Sequence, residues 1–167
     1  MAVDAQGGEK ARPYVEEAGA SFTTIVDEEN ILGQLYSFRA IPNGLLVDEE
    51  GVLRYAKFGG FDIRKPEIAE IVESWAVAPS LEELASKVEL SAVSPQHQES
   101  LACFRQGLEE YRKGNLKEAV ALWRRGTELE PDNFIVRKQM WAVEHPEKFY
   151  QGKVDFAWQR EQMEKGT

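Results

Sequence analysis

The sequence predicts an α/β segment followed by an all-helical one. Two apolar runs, Leu45-Leu46-Val47-Asp48 and Val52–Phe58, flank an acidic turn closed by glycine, Glu49-Glu50-Gly51, which is the pattern of a β-hairpin. A small, polar, proline-ended stretch, Ser91-Ala92-Val93-Ser94-Pro95, then divides the chain, and beyond it apolar residues recur only at helical spacing. Charge changes near the same place. Residues 1–90 hold 8 Lys+Arg against 17 Asp+Glu, whereas residues 91–167 hold 12 of each. The chain is therefore expected to fold as two units, 1–90 and 96–167.

Taken in order, Met1–Ala5 reads as the last residues of a strand. Gln6-Gly7-Gly8 opens a helix with Ala11, Tyr14, Val15 and Ala18 on one stripe, Pro13 tolerated early in it and Gly19 ending it. Phe22–Val26 is short and β-branched, hence a strand. Asp27 caps a short helix carrying Ile31, Leu32, Leu35 and Tyr36. Pro42 stands directly before the first apolar run, where its missing N–H is harmless. That run is continuous, which suits a strand buried on both faces; the second alternates and suits an edge. Asp62 is placed to cap the next helix, which Pro66 opens and which carries Ile68, Ile71, Val72 and Trp75. Ala78-Pro79 ends it, and Ser80 with Glu83 forms a capping box for a short helix with Leu81, Leu84, Ala85 and Val88 inward.

After the linker, Leu101, Phe104, Leu108 and Tyr111 form one stripe and Leu116, Ala119, Val120 and Trp123 the next, with Gly114-Asn115 between them. This is an αα-hairpin. Pro131-Asp132-Asn133 ends it, Phe134–Val143 adds a helix, and His145-Pro146 stops that one. Phe149-Tyr150 and Phe156-Ala157-Trp158 are too aromatic for a free tail and are expected to pack back.

The series from Asp27 through Ile41-Pro42, the hairpin and the helix after Phe61-Asp62 resembles the later part of the thioredoxin fold, and more closely its TlpA-like and peroxiredoxin-related redoxin branch. Residues 96–167 resemble a single tetratricopeptide repeat. Gly107, Gly114, Ala119, Trp123 and Pro131 fall on its pattern, while Gln106 and Glu110 depart from it. The first resemblance implies an incomplete thioredoxin-like sheet with flanking helices, because the family's C-x-x-C precedes the strand that Met1–Ala5 would finish. A fragment, a misassigned start and a lost front half are the alternatives. It also implies that Ile41, before the proline, offers its backbone to an extended partner peptide. The parent activity is then thiol-disulfide exchange or an AhpC/TSA-like antioxidant function in cell redox homeostasis. The chain itself is expected to be inactive without the C-x-x-C. The alternative is a non-catalytic module in which Phe104, Leu108 and Tyr111 line a groove for a peptide or helix. A missing central strand leaves an unpaired sheet edge. Pairing with a second copy, collapse of the flanking strands and rearrangement are the possible repairs.

The other chemistries are poorly supplied. A net charge of −9 argues against nucleic-acid and anionic-membrane partners. No apolar run approaches the roughly 18 residues of a membrane span. No secretory signal is visible at Met1, which favours a cytoplasmic location. One cysteine, Cys103, permits neither an intrachain disulfide nor a cysteine-rich zinc site, and its helical setting reads as a small core hydrophobe. His97 and His145 lack a ligating partner and read as surface or cap residues, so no metal and no cofactor is expected. Glu28-Glu29 and Glu49-Glu50 are turn or cap acids, and Gly7-Gly8 and Gly59-Gly60 are turn glycines outside any phosphate-binding context.

Overall fold

A computed structural model describes residues 3–77 and 94–166. Among them are seven α-helices, one 3-10 turn and a single two-stranded antiparallel sheet, α/β in the first part and all-α in the second. The expected helix end at Ala78-Pro79, the Ser80–Glu83 capping box, the helix after it and Ser91–Val93 of the linker lie outside the described residues.

Helix α1 (Gly8–Glu17) follows Gly7 and contains Pro13, and Gly19 succeeds it with φ 60°. Helix α2 (Ile31–Tyr36) is capped from a distance: the two oxygens of Asp27 accept from the N–H groups of Ile31 at 2.8 Å and Leu32 at 3.0 Å. Strands β1 (Gly44–Val47) and β2 (Leu53–Lys57) pair antiparallel, with Leu46 opposite Tyr55 and Val47 opposite Leu53, so that Arg54 is bulged out. The turn between them closes through Gly51 N–H to Asp48 O at 3.0 Å, and Gly51 adopts φ 79°. Asp48 also binds the bulged Arg54 at 2.6 Å. Helix α3 (Pro66–Val77) begins with its proline and buries Ile68.

Four expectations in this half are corrected. Val3–Ala5 is not a strand. The N–H of Ala5 donates to Gln139 Oε1 at 2.8 Å, and Gln139 Nε2 donates to Val3 O at 3.3 Å, so a side-chain amide stands where a neighbouring strand would. Phe22–Val26 forms no ladder: Phe22 lies in a bend and only Val26 makes an isolated bridge, since β-branched residues favour a sheet only when a partner strand is present. β1 is not buried on both faces, since it has β2 as its sole described neighbour and Val47 is 45% exposed. Asp62 does not cap α3. Its carboxylate accepts from the backbone and guanidinium of Arg64, which hold its pKa down at about 2.

The second half is the better packed. Helices α4 (Pro95–Arg112) and α5 (Leu116–Leu129) form the hairpin, and α6 (Phe134–Glu144) packs on α5. Ser94 caps α4 by accepting from His97 N–H, and Asn133 caps α6 by accepting from Val136 N–H. The core centres on Trp123, whose ring lies 6.1 Å from Phe104 and 5.9 Å from Tyr111, and whose Nε1 donates to Phe104 O at 3.0 Å. Ala5, Leu108, Ala119, Val136, Met140 and Trp141 complete it. After a 3-10 turn (Pro146–Lys148), α7 (Phe156–Lys165) returns with Trp158 packed edge-on to Trp141 at 5.5 Å and to Phe149 at 6.3 Å. The aromatic tail therefore covers the outer face of the helices, although Phe156 itself stays exposed.

Candidate functional site: a cleft between Ile41 and helix α6

The segment Ser37–Pro42 is pinned to the helical half. Phe38 is buried against Tyr36 at 5.6 Å and Phe58 at 5.3 Å. One residue on, Arg39 O accepts from Ile135 N–H at 3.3 Å, and the Arg39 guanidinium bridges Glu130 at 2.8 Å and Asp132 at 2.9 Å. This clamp sets Ala40 and Ile41 beside the first turn of α6. The Ile41–Pro42 peptide is cis. Ile41 is 51% exposed, and neither its N–H nor its C=O makes a hydrogen bond among the described residues. Pro42 O accepts from Phe61 N–H at 3.3 Å, and the Asn43 side chain ties Ala40 O to Gly59 N–H.

Ile41 forms part of the rim of a cleft of about 740 Å³. One wall is α1, through Ala11, Tyr14 and Val15, continued by Phe22 and Thr24; the other is α6, through Ile135, Lys138 and Ala142. Phe149, Phe156 and Met163 close the far side. A polar cluster lies at one end. Tyr150 donates to Asp4 at 3.1 Å, and Gln6 Nε2 donates to Tyr150 Oη at 3.0 Å. Tyr14 Oη donates to Phe149 O, and the Lys10 ammonium lies 4.9 Å from the Tyr150 ring. Burial and the Asp4 carboxylate push the Tyr150 phenol up, which keeps it a donor. Among the described residues Lys138 is the lone cation lining the cleft. Burial lowers its pKa, and it has no hydrogen-bond or ion-pair partner among the described residues.

Burial also raises the Asp4 carboxyl, outweighing the hydrogen bonds from Gln6 N–H and Tyr150. The folded state then holds a proton that the unfolded chain has released. Stability falls as pH rises from the ordinary carboxylate value through the raised one, and the penalty is complete above both. Asp4→Asn is expected to raise Tm at about pH 8, with the gain fading below about pH 4, where Asp4 is neutral in both states. A gain of equal size at both pH values, measured by thermal melts, contradicts this.

The other sequence-derived candidates fall elsewhere. Phe104 and Leu108 are 0% and 2% exposed inside the core, and Tyr111 packs on Trp123, so this trio lines no open groove. The stripe is spent on closing the hairpin. Cys103 is buried on α4, and burial raises its thiol pKa, the reverse of an activated nucleophile. His145 is half-buried and packs on Trp158 at 4.9 Å.

His97 is a correction. It is 1% exposed, and its Nδ1 lies 2.8 Å from both oxygens of Glu130, itself 5% exposed. Glu130 also accepts from Asn133 Nδ2 and Arg39 Nε at 2.8 Å. This network is sealed from solvent at the histidine and works as a fastener: it joins the caps of α4 and α6 to the segment that presents Ile41. Sequence reasoning missed it because His97 and Glu130 lie 33 residues apart, Arg39 lies further off still, and no local pattern links them.

No Cys or His lines the cleft, and no cluster of metal-ligating side chains occurs among the described residues. Among those residues no helix is long and apolar enough to cross a membrane. Among the described residues the arrangement offers apolar surface, one unpaired cation and the free backbone groups of Ile41. No family model, curated protein or solved structure matches the chain.

Proposed function

We propose that the chain is a non-catalytic binding module whose cleft receives an extended, apolar segment of a partner protein, with a carboxylate of that segment meeting Lys138. The observation that carries this reading is the juxtaposition of the exposed Ile41, whose backbone makes no hydrogen bond among the described residues, with an apolar cleft of about 740 Å³ containing Lys138, a cation with no partner among those residues. The redoxin resemblance supports it, since Ile41 occupies the position before the proline that such scaffolds offer to peptides. In this reading the chain descends from a redoxin-type thiol-disulfide oxidoreductase joined to a tetratricopeptide-like segment, and it retains the peptide-holding part of that ancestry.

A blocked hexapeptide of Val and Leu with one central Glu tests it by calorimetric titration. Binding is expected to weaken about tenfold in Lys138→Gln, the worth of one charge-assisted hydrogen bond, and to weaken as much when Gln replaces Glu in the peptide. Equal affinities in all three pairings would refute the carboxylate contact. Insulin reduction by this chain is expected to be nil, and turnover that depends on Cys103 would overturn the non-catalytic assignment.

A second reading, self-association through the sheet, is favoured by Val47, Val52 and Phe58, which are 45%, 44% and 45% exposed on and beside a two-stranded sheet. It predicts a dimer in sedimentation equilibrium that Val47→Lys dissociates; a monomer throughout counts against it.

A further inference from the structure

We infer that a second pocket, lined by Arg137, binds a small aromatic monocarboxylate. Arg137 and Lys138 are neighbours on α6 and so diverge by about 100° around the helix axis. Lys138 lines the Ile41 cleft, and Arg137 lines a separate pocket of about 470 Å³ between the end of α5, α6 and α7. Arg137 is 8% exposed, yet it pairs with no carboxylate among the described residues, and its Nε is buried without a hydrogen-bond partner. The guanidinium lies over the Trp141 ring, 5.9 Å from its centre. A buried guanidinium without a counter-charge is costly, and burial accordingly lowers its pKa. The neighbouring Arg124 is already held by Glu144 at 2.6 Å. An anion would complete what the described residues leave open.

The lining narrows the class of anion. Glu128 borders the same pocket and opposes a second negative charge, while Glu144 is spent on Arg124, which disfavours a phosphate dianion and favours a single carboxylate matched to the guanidinium fork. Trp141 and Trp158, set edge-to-face at 5.5 Å, with Met140 and Pro131 beside them, offer flat apolar walls to a ring.

Titration with benzoate, benzamide and inorganic phosphate, followed through the indole N–H resonances, is the test. Benzoate is expected to shift Trp141 and Trp158 saturably and to bind at least about tenfold more tightly than benzamide, its uncharged counterpart. Phosphate is expected to bind more weakly than benzoate. Arg137→Gln should lose the benzoate response, whereas Lys138→Gln should keep it. Equal binding of benzoate and benzamide, a tighter site for phosphate, or no shift of either indole would overturn the assignment. These outcomes are read on the unaltered protein, so they decide the matter even if Arg137→Gln does not fold.

Discussion

Trp123→Ala is expected to destabilise the protein by about 4 kcal/mol, the middle of the range for truncating a large buried aromatic. The indole is 0% exposed and is the common neighbour of Phe104 and Tyr111, so its removal leaves a void bounded by helices that cannot close on it. It also removes the donor that ties α5 to Phe104 O in α4. Urea unfolding followed by far-UV circular dichroism measures this directly, and a loss below about 1 kcal/mol would show that Trp123 is not the centre of the core. Gly107→Ala is the companion test. In an exposed helix the change is stabilising by roughly 1 kcal/mol. At Gly107 the added Cβ would stand 2.3 Å from Trp123 Nε1, so the sign is expected to reverse. A stabilised Gly107→Ala variant would mean that the indole has room to move.

Glu130→Ala is expected to cost about 3 kcal/mol, because one acceptor serves three donors and its loss strands a buried imidazole and a buried amide. The consequence reaches beyond stability. Arg39 is held through Glu130 and Asp132, and Arg39 O is held by Ile135 N–H, so loosening this corner releases the segment that presents Ile41. The variant should therefore bind the hexapeptide more weakly even at temperatures where it remains folded. Glu130→Gln, which keeps one acceptor oxygen, is expected to fall between the two. A Glu130→Ala protein of unchanged urea midpoint and peptide affinity would remove the fastener from the account.

What the sequence made legible was local. Helical spacing from Leu101 to Tyr111 and from Leu116 to Trp123 depends on residues within a turn or two of one another, and the α4–α5 hairpin follows from it. The β-hairpin was equally readable, because its turn residues and flanking runs are contiguous. Val3–Ala5 and Phe22–Val26 were misread because a strand is defined by a neighbour, and no local pattern announced that Gln139 would supply the backbone partners of the first. Phe104 and Leu108 show another limit: an apolar stripe on a helix looks the same whether it lines a groove or fills a core. Ile41 was found through the proline that follows it. The α6 side of its cleft, which begins 93 residues on at Phe134, was not readable, because α1, α6 and α7 are brought together only by folding. Lys138 carried no signal at all, since an unpaired lysine is ordinary until its surroundings are known to be apolar.

The most direct measurement is an intermolecular nuclear Overhauser experiment on methyl-labelled protein saturated with the Glu-containing hexapeptide. Contacts from the peptide side chains to the methyl groups of Ile41, Ala142 and Met163 are the predicted result. Contacts confined to the outer face of β1–β2, or none to Ile41 at saturation, would contradict the cleft as the binding site.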